Sequence, residues 1–165
     1  MLYLDMKIGI IGSGIVGRVL ASAFIQEGNQ VMLGSRNPAK EEVVQWKSKN
    51  EKGLTGNFEE TAAFGEMIVL AIAGRVSIPA IELAGKKNFA GKIVIDATNP
   101  LSEAPPVNGI LSFFTTLNES LMERLQIALP EAKFVKAFNS VGSALMYKPD
   151  LKGQQPTMFI CGNDA

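Results

Sequence analysis

Gly12, Gly14 and Gly17 fall in the string Gly12-Ser13-Gly14-Ile15-Val16-Gly17, between an apolar run and an amphipathic one. That spacing suits a main-chain cradle for a pair of phosphates. Gly12 allows a tight turn, and Gly14 lets the backbone approach a pyrophosphate with no side chain between. Gly17 lets a following helix lie close to the preceding strand. A helix beginning near Ile15 and Val16 points unpaired N–H groups and a partial positive charge at the phosphates. About twenty residues further on, NAD enzymes carry an Asp or Glu for the ribose hydroxyls. Here the corresponding stretch is Gly34-Ser35-Arg36-Asn37-Pro38, with no carboxylate. A hydroxyl and a guanidinium bind a 2′-phosphate that a carboxylate would repel, and Lys40 adds a second charge. The pattern predicts NADP(H) rather than NAD.

The residue types that are missing narrow the chemistry as much. The 165 residues include no histidine, which removes Ser-His-Asp triads, histidine-ligated metals and histidine general acids. Oxidation of alcohols needs a positioned acid or base, most often His. Hydride exchange between two redox cofactors needs mainly alignment, so a histidine-free chain fits the second reaction better. The single cysteine, Cys161, leaves no intramolecular disulfide and no cysteine-built metal site, and predicts a reducing cytoplasm. Its apolar setting, Phe159-Ile160-Cys161, predicts a buried, inert strand thiol.

Sixteen basic residues balance sixteen acidic ones, and nothing in that balance points to nucleic acid or an anionic membrane. No apolar run reaches bilayer length. Met1 to Met6 holds Asp5 and no basic region, which does not read as a signal peptide. With 47% hydrophobic and 19% charged residues, the length suits one globular domain.

The elements that must position the glycines are a strand over Ile8–Ile11, a helix carrying Val16, Leu20, Ala23 and Phe24, a turn at Glu27-Gly28-Asn29, and a strand over Val31–Leu33. Pro38 suits the first turn of a second helix running towards Gly53, with Val43 and Trp46 inward. Leu54-Thr55-Gly56-Asn57 reads as a turn, and Phe58 to Glu66 as a short helix with Phe58, Ala62 and Phe64 inward. Met67–Ile72 is a continuous apolar run, as in a strand covered on both faces. Its end, at Ala71, Ile72 and Ala73, lies where a doubly wound sheet meets its ligand. Ser77 and Pro79 suit the start of a helix reaching about Lys87. Lys92–Asp96 is the next strand, ending in Asn99-Pro100. Leu101 to Phe114 has no periodicity and is either a functional loop or a solvated connection. Thr115–Leu129 reads as a helix with Leu117, Leu121, Leu125 and Ala128 on one face. Phe134–Phe138 is a strand followed by Asn139, and Met158–Cys161 a last short one. Asn99 and Asn139 either contact ligand or tie down turns.

Together these residues resemble the NADP-dependent oxidoreductases that use the deazaflavin coenzyme F420. The same domain serves as the NADPH-binding part of some membrane ferric reductases. The resemblance rests on Gly9–Gly17, Leu33–Pro38, Asp96–Leu101, Val135–Gly142 and Phe159–Asp164. It implies that the glycine loop, Gly12 to Gly17, holds the pyrophosphate, and that Ser13, Ser35 and Arg36 meet the 2′-phosphate. It implies too that Ala71, Ile72 and Ala73 lie along the nicotinamide nucleotide. Asn99, Pro100, Ala137, Phe138 and Asn139 would flank the nicotinamide and the second cofactor. No residue is assigned as acid or base. Relatives continue past the Gly162-Asn163-Asp164 segment, so the chain is expected to be an NADP-binding domain lacking their C-terminal extension. Ile15 also replaces a polar contact found in some of them.

The expected fold is an α/β doubly wound parallel sheet of about six strands in the order 3-2-1-4-5-6, as one domain. The expected function is hydride transfer between NADPH and a flavin or deazaflavin, with no metal and no catalytic side chain, in a cytoplasmic homodimer. The alternative is a non-catalytic NADP(H)-binding module that senses redox state or joins an assembly. A reductase of imines or β-hydroxy acids ranks last, because such enzymes need a large helical second domain.

Overall fold

The apolar runs of the sequence become the strands of one sheet. The computed structural model describes residues 5–154 and 156–163. In chain order the elements are β1 (Lys7–Ile11), α1 (Ile15–Gln26), β2 (Gln30–Gly34), α2 (Glu41–Lys49), β3 (Leu54–Gly56) and α3 (Phe58–Phe64). Then come β4 (Met67–Leu70), α4 (Ser77–Ala84), β5 (Ile93–Asp96), α5 (Leu121–Ala128), β6 (Lys133–Lys136) and β7 (Cys161–Gly162). The strand order is β3-β2-β1-β4-β5-β6-β7. All pairs are parallel except β6 with β7. The order reverses beside β1, and such a switch point opens a crevice at the carboxyl ends of the strands.

Alternation along the strands fills a core on each face of the sheet. Ile8, Ile10, Val31, Leu33 and Val69 meet Leu20, Ala21 and Trp46 from the α1 and α2 side. Ile11, Ile68, Leu70, Val94 and Phe134 meet Phe58, Ala62, Ile81 and Leu125 from α3, α4 and α5. Burying all of these is the main driving force for the fold, at about 25 cal/mol per Å² of apolar surface. Trp46 also donates its indole N–H to Ser22 Oγ at 2.9 Å and to the Arg18 carbonyl at 3.2 Å, which locks α2 onto α1.

Several local expectations change. Leu54–Gly56 is a strand, not a turn: it pairs in register with Met32–Gly34 and makes a seventh strand at the edge. Helix α2 starts at Glu41, beyond Pro38, because Ser35–Lys40 is held as a turn in which Asn37 Oδ1 accepts from the Ala39 N–H at 3.0 Å. Phe64 is only half-buried. Ser77 is the first helical residue of α4 rather than its cap, and α4 stops at Ala84, where Gly85 turns the chain with φ 76°. Helix α5 starts at Leu121 rather than Thr115, because Ser120 Oγ accepts from the Glu123 N–H and Glu123 Oε2 accepts from the Ser120 N–H. Leu117 is fully exposed. The last strand is Cys161–Gly162, and Met158, Phe159 and Ile160 precede it in the open. Cys161 is therefore exposed, contrary to a buried thiol, since a two-residue edge strand covers neither face. No helix among the described residues is long and apolar enough to cross a membrane.

Candidate functional site: a dinucleotide cleft

Strand β1 ends at Ile11, and Gly12 then takes φ 121°, a conformation side chains rarely adopt. A Cβ on Gly12 would run into the Ala71 carbonyl, and one on Gly17 into the Gly12 carbonyl. Those two glycines therefore set the close approach of β1, α1 and the end of β4. Gly14 differs, because a Cβ there would meet nothing within 4 Å. Its open face looks onto the start of α1, which has no side-chain cap and no acidic residue in its first turn. Free N–H groups and the positive end of a twelve-residue helix are left for an anion.

The end of β2 comes to the same place. Ser35 N–H donates to the Gly56 carbonyl at 3.0 Å, and Gly12 N–H donates to the Gly34 carbonyl at 3.1 Å. Ser35, 3% exposed, holds its hydroxyl between Ser13 Oγ at 3.2 Å and the Asn37 backbone. Arg36 next to it is exposed and makes no ion pair among the described residues. Lys40 lies 3.6 Å from Glu42. These groups line a cleft of about 350 Å³ together with Gly12, Gly14 and Ala71–Ala73. The structure thus brings the glycine loop, the Ser-Arg pair and the end of β4 into one cavity. Of the loop, Ile15 is 62% exposed at the helix start and faces away from this cleft, while Val16 packs against the α1-side core.

A second cavity, of about 440 Å³, opens at the carboxyl ends of β5 and β6. Asn99, Pro100, Asn139, Lys136 and Cys161 line it with the residues that lead into α5. The Asn99 side-chain amide donates to the Asn139 carbonyl at 2.8 Å, which ties the two strand ends together. Ala137 and Phe138 line neither cavity. Ala137 is buried, and Phe138 takes φ 64° and packs into the α1-side core. Gly74 is the wall between the two cavities: its neighbours Ala73 and Arg75 line the first, and a Cβ on it would strike Asn99 and Leu121, which line the second.

Beneath that wall lies an ion pair that the motifs alone do not announce. Asp96 is fully buried and accepts from Lys136 Nζ at 2.9 Å. Its other oxygen accepts from the Thr98 N–H at 2.9 Å and hydroxyl at 2.7 Å. Lys136 in turn reaches the Thr98 carbonyl. The parallel register that places Asp96 opposite Lys136 is the signal that could have found the pair. Arg75, two residues beyond Ala73, also lines the first cleft, and the sequence pattern singled out only its small neighbours.

A family model described as NADP oxidoreductase, coenzyme F420-dependent, matches residues 7–100. The chain belongs to this family. The F420-dependent NADP oxidoreductase match covers the glycine loop, the Ser-Arg end and the first wall of the second cavity. A crystal structure of a proposed F420-dependent NADP-reductase from Arthrobacter sp. FB24 is 35% identical, with a TM-score of 0.90. The alignment covers 97% of this chain and 75% of that one. The metalloreductase STEAP3 of Rattus norvegicus is 28% identical over 163 residues, 95% of this chain and 29% of its own length. A glycerol-3-phosphate dehydrogenase [NAD(P)+] of Limosilactobacillus fermentum is 31% identical over 102 residues, 60% of this chain and 30% of its own length. The chain thus spans about three tenths of the length of these curated relatives. The doubly wound fold and the oxidoreductase family of the sequence reading both hold.

Proposed function

We propose that the chain binds NADP(H) in the first cleft and passes a hydride between it and a flavin or deazaflavin held at the second cavity. The observation that carries this reading is the shared wall at Gly74 and Asn99, which sets two ligand-sized cavities side by side on the carboxyl edge of the sheet. The first cavity fits the dinucleotide: an uncapped helix start, an open Gly14 and an exposed Arg36 with no ion pair among the described residues all favour anionic oxygens. When bound, NADPH supplies the hydride.

The residues then bind and orient. Gly12 to Gly17 hold the pyrophosphate, and Ser13, Ser35 and Arg36 hold the 2′-phosphate. Ala71, Ile72 and Ala73 form a floor for the nicotinamide nucleotide, small at the two alanines and apolar at Ile72. Asn99 and Asn139, fixed to each other, hold the boundary between donor and acceptor, with Pro100 beside them. Ala137 and Phe138 support Asn139 from below rather than touching ligand. Alignment supplies the rate, and no side chain has to move a proton. The homodimer implied by the resemblance belongs to the same reading, as does an NADP-binding domain lacking the C-terminal extension of relatives, and sedimentation of the protein would read the first.

The test is NADPH oxidation followed with FMN, FAD or a deazaflavin as acceptor. Turnover with one of them is the expected result. NADPH binding without turnover on any acceptor would overturn hydride transfer and leave a non-catalytic NADP(H)-binding module.

A further inference from the structure

Arg75 is the middle residue of the single helical turn, Gly74–Val76, that joins the end of β4 to α4. It lines the dinucleotide cleft together with Gly12, Ser13 and Gly14. The end of β4 is pressed against Gly12, as the blocked Cβ position there shows. Arg75 follows Ala73 by two residues, each step spanning at most about 3.8 Å between Cα atoms. Arg75 and Gly12–Gly14 line one cavity, so a rotation of this long side chain away from Glu103 is what would bring its guanidinium to phosphate oxygens over the loop.

What Arg75 holds now is weak. Its Nε lies 2.9 Å from Glu103 Oε1, with side chains 52% and 78% exposed. Exposed pairs of this kind contribute little, and neither terminal amino group of Arg75 makes a hydrogen bond among the described residues. The five-donor fork of a guanidinium suits a diphosphate better than a single carboxylate oxygen. Glu103 lies in the irregular stretch between β5 and α5, so the pair also pins that stretch to the rim of the cleft.

We propose that Arg75 is a second phosphate-binding cation of the cleft, which exchanges its pairing with Glu103 for the pyrophosphate when a dinucleotide binds. The proposal rests on the NADP(H) reading above and adds to it a residue, a competitor and a division of labour. Arg36 distinguishes the 2′-phosphate, whereas Arg75 serves the pyrophosphate that NADPH and NADH share.

The experiment is calorimetric titration of the full chain with NADPH, NADH and adenosine 2′-monophosphate, for wild type, R75A, R75K and E103Q. R75A is expected to weaken NADPH and NADH alike by about tenfold and to leave adenosine 2′-monophosphate unchanged, since that ligand has no pyrophosphate. R75K should recover part of the loss. E103Q should tighten both dinucleotides about two- to threefold by removing the competitor. R75A within twofold of wild type for NADPH would overturn the proposal. So would an equal loss for adenosine 2′-monophosphate, or E103Q weakening binding as R75A does, because each makes the pair a structural strut. A wild type that binds no NADPH would bring down the NADP(H) reading itself, whereas wild-type binding with an indifferent R75A sinks only the role of Arg75.

Discussion

Arg36 sits at the tip of β2 with its guanidinium in the cleft and Ser35 anchored beneath it by Ser13 and Asn37. A 2′-phosphate there would gain charge-assisted hydrogen bonds of about 1.5–3 kcal/mol. Arg36→Ala should therefore weaken NADPH about tenfold or more while changing NADH by less than twofold, read by titration. Equal loss for both nucleotides would remove the 2′-phosphate assignment. Asp96 gives a prediction of another kind. Lys136→Met would leave a fully buried carboxylate without its cation, which costs about 3–5 kcal/mol. Urea denaturation should show that loss, and pairing the change with Asp96→Asn should recover much of it. The residue-scale features divide in legibility. Glycines, serine and arginine announce themselves by type and spacing, because each type has one dominant use in such a turn. The Asp96–Lys136 pair and the Asn99–Asn139 tie each join residues 40 positions apart, and depend on a strand register that composition does not contain.

Helix α5 shows what an element owes to its first residue. Hydrophobic spacing extends back to Leu117, yet the helix begins where Ser120 and Glu123 cap each other. Ser120→Ala should lower stability by about 1 kcal/mol and increase amide exchange in the first turn of α5. The same box predicts a pH dependence. Hydrogen bonds from the Ser120 backbone and hydroxyl hold the Glu123 carboxyl below its ordinary value of 4.5. A depressed carboxyl contributes fully above that ordinary value and loses its contribution as pH falls through the lower folded value. The protection of the first-turn amides of α5, measured against the intrinsic exchange rate at each pH, should therefore fall on acidification below about 4.5, and E123Q should flatten that response. An unchanged acid response in E123Q would remove the box from the account. The box was readable as Ser-x-x-Glu before an apolar run, but the longer periodic pattern outweighs it on paper. Strand β3 was hidden for a different reason: three residues with two glycines nearby look like a turn until β2 supplies a partner edge. The exposure of Cys161 escaped because an apolar run of strand length implies burial only when something covers it.

For the whole molecule, the fold class followed from apolar runs alternating with helical ones, the pattern that restricts a chain to a parallel sheet with helices on each face. The place of Met67–Leu70 beside β1, by contrast, depended on the unforeseen β3 taking the edge next to β2. The placement of two cavities against one wall could not be read this way, since it arises from how far the β4 and β5 ends project. Binding at that edge couples to the stability of the entire domain. With NADPH at a hundred times its dissociation constant, linkage adds about 2.7 kcal/mol, which for a domain of this size corresponds to roughly 5–10 °C in the melting midpoint. Differential scanning calorimetry should show that shift, with a smaller one for NADH at the same concentration. No shift with either would mean that the cleft does not bind dinucleotides.

The place of β1 has a consequence for how the protein is made. β1 hydrogen-bonds β2 on one edge and β4 on the other, and Ile8 aligns with Met67, 59 residues later in the chain. Translation at about 5–20 residues per second therefore leaves one edge of an almost wholly apolar strand without its partner for several seconds after β2 has docked. During that interval the nascent chain offers an open, sticky ladder to any other strand nearby. A strand that ends up paired on both edges is thus open on one of them at birth, and holdase chaperones should engage ribosome-bound chains that stop before Met67 more than chains that have passed Asp96.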